Sequence, residues 1–95
     1  MRLTSDQAEV IRQRVHRHLG PDTRIWLFGS RVDDQRRGGD VDLYVEADTP
    51  PPLTARLMCR TELADALDLH VDLIIQRPGL DLPIYRIARQ HGVPL

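Results

Sequence analysis

The chain has 95 residues, enough for one domain with a real core and too few for a catalytic domain plus a separate substrate domain. Its 13 basic residues, all arginine, face 14 acidic ones for a net charge of -1, so the basic excess that goes with binding a long nucleic acid is missing. Apolar residues make up 41%, no run approaches the roughly 18 residues of a membrane span, and the start lacks a basic-then-apolar signal layout, so a cytoplasmic protein away from membranes is expected.

Thr4-Ser5-Asp6-Gln7 predicts a helix start, with Thr4 as N-cap and Gln7 completing a capping box. Ala8, Ile11, Val15 and Leu19 continue at helical spacing until Gly20-Pro21. Arg24 to Phe28 reads as a strand apolar on both faces, hence central in a sheet. Gly29 to Gly39 is polar and predicts a turn with one or two helical turns. Asp40 to Glu46 alternates, with Val41, Leu43 and Val45 toward the core and Asp40, Asp42 and Tyr44 on the opposite face. Pro50-Pro51-Pro52 is a stiff connector. From Leu53, the apolar positions Leu57, Met58, Ala64 and Leu67 predict a second amphipathic helix, with Arg56 and Arg60 on another face. His70 to Gln76 reads as a third strand, Pro78-Gly79 as a turn, and Leu82 to His91 as a last helix before Gly92 and Pro94. The sum is one α/β domain: a small sheet of three or four strands with helices around it, its edges in need of cover by a partner or a second copy. Cys59 is the single cysteine and suits a buried small side chain.

Three features carry chemistry. Asp40 and Asp42 are two apart on a strand and point the same way; two charges about 4 Å apart repel by roughly 4 kcal/mol at an effective dielectric of 20. The pair reads either as a solvated strand face or as a holder of magnesium, which takes oxygen ligands and shares them with substrate phosphates. Gly29-Ser30 reads either as an ordinary strand-to-helix turn or as a phosphate loop, with Arg31 as a surface residue or a further donor. Asp72 interrupts an apolar strand, which is costly unless the acid is paired, exposed at an edge or metal-bound. Beside Asp40 and Asp42 it would complete a site for two metals. His70 falls on the Asp72 side, while His16 and His18 point apart and cannot share a metal. No zinc spacing, Ser-His-Asp set or Walker loop is present.

Phe28-Gly29-Ser30-Arg31, then Gly39-Asp40-Val41-Asp42-Leu43, then Val71-Asp72-Leu73 resembles the DNA polymerase β-like nucleotidyltransferase superfamily. Within it the chain is similar to the minimal nucleotidyltransferase (MNT) group, whose members pair with HEPN-domain proteins in toxin–antitoxin modules. The resemblance covers residues 1–95 as a single nucleotidyltransferase domain with a mixed sheet. It implies that Gly29 and Ser30 hold the triphosphate of ATP, to which Arg31 could add a charged fork. It also implies that Asp40, Asp42 and Asp72 coordinate magnesium and catalyse transfer of AMP to a hydroxyl, with a HEPN toxin as acceptor and partner. The sequence departs from the family at Val32-Asp33-Asp34, which replaces a small Ala-Arg-Gly segment and sets two acids beside the phosphate loop. An alternative reading follows: a weak or inactive antitoxin that neutralises its partner by covering it.

Overall fold

A computed structural model describes residues 3–29 and 40–95, with Asp40 described by its backbone alone. The order is α1 (Ser5–Leu19), β1 (Arg24–Phe28), β2 (Asp40–Glu46), α2 (Leu53–Leu67), β3 (His70–Ile75), α3 (Pro83–His91) and β4 (Val93–Pro94). The four strands form one mixed sheet in the order β3-β2-β1-β4, with β1 antiparallel to both β2 and β4 and with β2 parallel to β3. A parallel pair needs a crossover, and α2 supplies it.

The helix ends follow local chemistry. At α1 the capping box is complete: the Gln7 amide donates to Thr4 Oγ1 at 3.1 Å, and the Thr4 amide donates to Gln7 Oε1 at 2.8 Å. α2 ends at Asp68, in the left-handed region at φ 53, where a short polar side chain is tolerated. α3 begins with Pro83 in its first turn, where the missing N–H costs nothing.

Strand alternation divides the core in two. One side of the sheet, under α1 and α2, is filled by Ile11, Val15, Ile25, Leu27, Val41, Leu43, Val45, Cys59, Leu63 and Val71. The other side, under α3, holds Phe28, Tyr44, Tyr85 and Ala88, with Trp26, Ile74 and Ile84 packed around them. Tyr44, on the face opposite the aliphatic core, is therefore completely buried, in contact with Trp26 and Tyr85 at ring-centroid distances of 5.5 and 5.3 Å.

Two elements differ from expectation. Leu57 and Met58 do not face the core: both are more than half exposed, and α2 buries Cys59 and Leu63 alongside the expected Leu67. Apolar residues on both flanks of α2 made its stripe ambiguous, and the tertiary contact with α1 selects the cysteine side. After α3 the chain does not simply stop: Val93–Pro94 adds an edge strand to β1, and Leu95 N donates to Ile25 O at 2.9 Å. Pro94 is acceptable there because an edge position does not require its N–H.

Candidate functional site

Register sets the site. Across three strands, Phe28 lies opposite Asp42 and Asp42 opposite Asp72, all on the face that α3 partly covers. The next row toward α3 is Trp26–Tyr44–Ile74, closed over by Tyr85. α3 thus roofs the lower rows, and the aspartate row stays open: Asp42 is half-buried and the Asp72 side chain is 50% exposed. Neighbouring strands lie about 4.8 Å apart, so two carboxylates in register on one face share the same small volume.

Gly29 completes this corner. It follows β1 directly, at φ +77, and a Cβ built there would collide with Oδ2 of Asp42. Glycine therefore meets two demands: a left-handed backbone, and a close approach of the chain to a carboxylate. Ser30 and Arg31, the remaining phosphate-loop residues, lie outside the described residues, as do Asp33, Asp34, Arg36, Arg37 and the Gly38-Gly39 pair. The backbone of Asp40 pairs with that of His70, one row beyond Asp42 and Asp72.

Asp72 is not buried. β3 is the sheet's edge strand, and its acid faces solvent, so the desolvation cost expected of an aspartate within an apolar strand does not arise. His70, two residues earlier on the same face, places Nε2 3.1 Å from Asp72 Oδ1. Arg60 of α2 donates from Nε to Val71 O at 3.0 Å, pinning the peptide just before Asp72 and covering an otherwise open edge carbonyl.

A network that was not apparent from the sequence locks the other end of this face. Glu46 is nearly buried, and Arg89 Nη1 and the Tyr44 hydroxyl each donate to its Oε2 at 2.7 Å. Arg24 Nε reaches Oε1 at 3.4 Å. Burial pushes the Glu46 carboxyl up, but hydrogen bonds from Arg89, Tyr44 and Arg24 outweigh it and hold the carboxyl below its ordinary value. Burial, with Glu46 beside it, pushes the Tyr44 hydroxyl well up, so it remains a donor. The clue in the sequence was that Glu46 continues the alternation Asp42, Tyr44; its partner Arg89, 43 residues away, left no local trace. The network ties α3 to β2 and makes a stiff base for Asp42, two residues from Tyr44.

Asp42 and Asp72 are hard oxygen donors, in register, open to solvent on one side and bounded by a glycine on the other. Two such oxygen donors are the ligand type that a divalent magnesium ion takes, and among the described residues no third acid, histidine or cysteine joins them closely enough to complete a metal site.

Comparison with known proteins agrees with this architecture. A family model described as "Polymerase beta, Nucleotidyltransferase" matches residues 17–93. No curated protein matches the chain. Among solved structures, a chain of a mutant MntA-HpeT toxin–antitoxin complex is similar at 26% identity and a TM-score of 0.68, over 98% of this chain and 71% of that one. A chain from a toxin–antitoxin structure with AMP-PNP is similar at 25% identity and a TM-score of 0.72, over 97% and 72%. A chain from the complex of tri-AMPylated Shewanella oneidensis HEPN toxin with MNT antitoxin is similar at 26% identity and a TM-score of 0.66, over 93% and 70%. The match to the family model spans most of the sequence and takes in β1, β2 and β3 with the open aspartate row between them: the chain belongs to the polymerase β nucleotidyltransferase family.

Proposed function

We propose that this chain is a magnesium-dependent nucleotidyltransferase that moves AMP from ATP to a hydroxyl of a HEPN-type toxin, acting as that toxin's antitoxin. The single observation that carries the reading is the in-register placement of Asp42 opposite Asp72, with Gly29 packed against the Asp42 carboxylate. In this reading Gly29, Ser30 and Arg31 seat the triphosphate, and Asp40, Asp42 and Asp72 hold the metal. Magnesium, when bound, supplies positive charge to the phosphate oxygens. Asp72, open to solvent at the sheet edge, is reached by an acceptor carried on another protein and draws the proton from its hydroxyl. The hydroxyl oxygen bonds to the α-phosphorus as the bond to the pyrophosphate oxygen breaks. Positioning and charge stabilisation are the main contributions to rate. The similarity to toxin–antitoxin complexes, one with AMP-PNP and one with an AMPylated toxin, supports the choice of nucleotide and acceptor.

The test is transfer of labelled AMP to the partner in the presence of magnesium. Wild type labels the partner, and Asp42→Asn reduces the rate by about a hundredfold or more while leaving complex formation intact. A wild-type chain that neutralises the partner with no label transferred would replace this proposal with the second reading, an antitoxin acting by coverage alone. The Asp33-Asp34 pair, which follows Gly29-Ser30-Arg31 closely in the sequence, motivates that second reading.

A further inference from the structure

Beside the aspartate row the sheet ends in an open edge. β3 is its outer strand, with β2 on one side and, among the described residues, no strand on the other. Gln76 N donates to Val45 O at 3.0 Å, so the backbone groups of Asp72, Ile74 and Gln76 turn toward β2. Those of Val71, Leu73 and Ile75 therefore turn outward. The bond from Arg60 Nε to Val71 O, at 3.0 Å, agrees with that direction and closes one outward carbonyl. Among the described residues nothing is bonded to the outward groups of Leu73 and Ile75. Edge strands are commonly blunted by charge or proline, and the run Leu73-Ile74-Ile75 has neither.

α2 brings apolar side chains over the same edge. Arg60, which reaches the outward carbonyl, shares one side of the helix with Leu57, three residues earlier, and with Leu53, four before that. Both leucines are more than half exposed, although another side of the same helix is fully buried at Cys59 and Leu63. A strand laid along β3 would bond to Leu73 and Ile75 and carry every second side chain under Leu53 and Leu57. Its remaining side chains would stand on the face of Asp72, the directly opposite one at about 5 Å between Cβ atoms. Open backbone groups on β3 and an uncovered apolar stripe on α2 thus require the same occupant, an amphipathic extended segment.

We propose that the outer edge of β3 is a docking site for the partner protein, which lays an extended segment along it as a further strand. The segment is apolar toward α2, and opposite Asp72 it carries the acceptor hydroxyl. The hydroxyl rests on the proposed function; the strand addition does not. A second copy of this chain fits the edge less well. Antiparallel pairing of β3 with itself brings Arg60 toward Arg60 and Asp72 toward Asp72, like charge against like. The side chains of Val71, Leu73 and Ile75 that it would offer to α2 already pack against its own core.

The experiment follows amide hydrogen exchange of the ¹⁵N-labelled full chain, alone and in complex with the HEPN-type toxin, in buffer free of magnesium and ATP. Binding is then read apart from transfer. The Leu73 and Ile75 amides are expected to exchange quickly in the free chain and about tenfold or more slower in the complex. Leu57→Gln weakens the complex by about tenfold or more, the value of one buried leucine, and leaves the urea midpoint unchanged because Leu57 faces solvent. Met58→Gln, similarly exposed but on another side of α2, leaves the affinity unchanged. A complex in which Leu73 and Ile75 exchange as in the free chain overturns the proposal, as do unaltered affinity in Leu57→Gln, equal weakening by both variants, or no complex at all. Protection of these amides in the chain alone at high concentration also overturns it, because the edge then belongs to a second copy. Labelled AMP transferred without that protection removes the docking site and leaves the transferase reading standing; protection without transfer does the reverse.

Discussion

Gly29 shows how much one residue decides here. Its φ of +77 and its contact with the Asp42 carboxylate leave no room for a side chain, so Gly29→Ala is expected to destabilise the fold by about 1 kcal/mol or more. Under the proposed function the substitution also crowds the Asp42 carboxylate, so magnesium uptake measured by calorimetry is expected to weaken. Glu46 makes a prediction about pH. Its carboxyl is held below the ordinary 4.5, so as acid is added the unfolded chain takes up the proton first. The stability it contributes is complete above the ordinary value and is lost as pH falls through the lower native one. Urea midpoints measured between about pH 6 and pH 3 should fall, and Glu46→Gln should shrink that fall. Cys59 is the opposite case: burial, with Glu62 near, pushes its thiol up to about 11, so it should resist iodoacetamide at about pH 8 until the chain unfolds.

Among elements, α3 has the most consequence for the site. It is a short helix whose Tyr85 stacks on Tyr44 and whose Arg89 holds Glu46. Tyr85→Ala removes a buried ring and should cost about 3 to 5 kcal/mol in chemical denaturation. α2 offers the contrasting test. Since Leu57 and Met58 face solvent, their joint replacement by glutamine is expected to leave stability within about 0.5 kcal/mol, whereas Leu63→Ala at the buried side costs about 2 to 5. Helix periodicity in the sequence located α2 and rightly gave Leu67 and Ala64 to the core, but wrongly gave it Leu57 and Met58 and overlooked Cys59 and Leu63, because the apolar residues of α2 do not fall on one narrow stripe. The capping box of α1 was readable because it is closed within four residues, Thr4 to Gln7.

For the whole molecule, the sheet order places β1 and β2 inside and β3 and the short β4 outside. Native-state hydrogen exchange should therefore protect the amides of Val41 to Val45 most strongly, with β4 and the outer edge of β3 exchanging much sooner. The same order puts the row of Asp42 and Asp72 at one end of the β2–β3 pair and the row of Val45 and Ile75 at the other. Local information, meaning alternation along a strand, spacing along a helix and the chemistry of caps and turns, was enough to predict α1, β1, β2, β3 and α3, an α/β sheet, and the shared face of Asp42 and Tyr44. These depend on neighbours within a few residues, where backbone geometry leaves few options. Strand register and pairing between distant segments lay beyond it. Asp72 came to face Asp42 because β3 joins β2 in parallel, Asp72 stayed hydrated because β3 is an edge, and Arg89 found Glu46 because α3 folds back across Tyr44. Each of those outcomes depends on packing contacts between residues tens of positions apart, which no short stretch of the chain encodes.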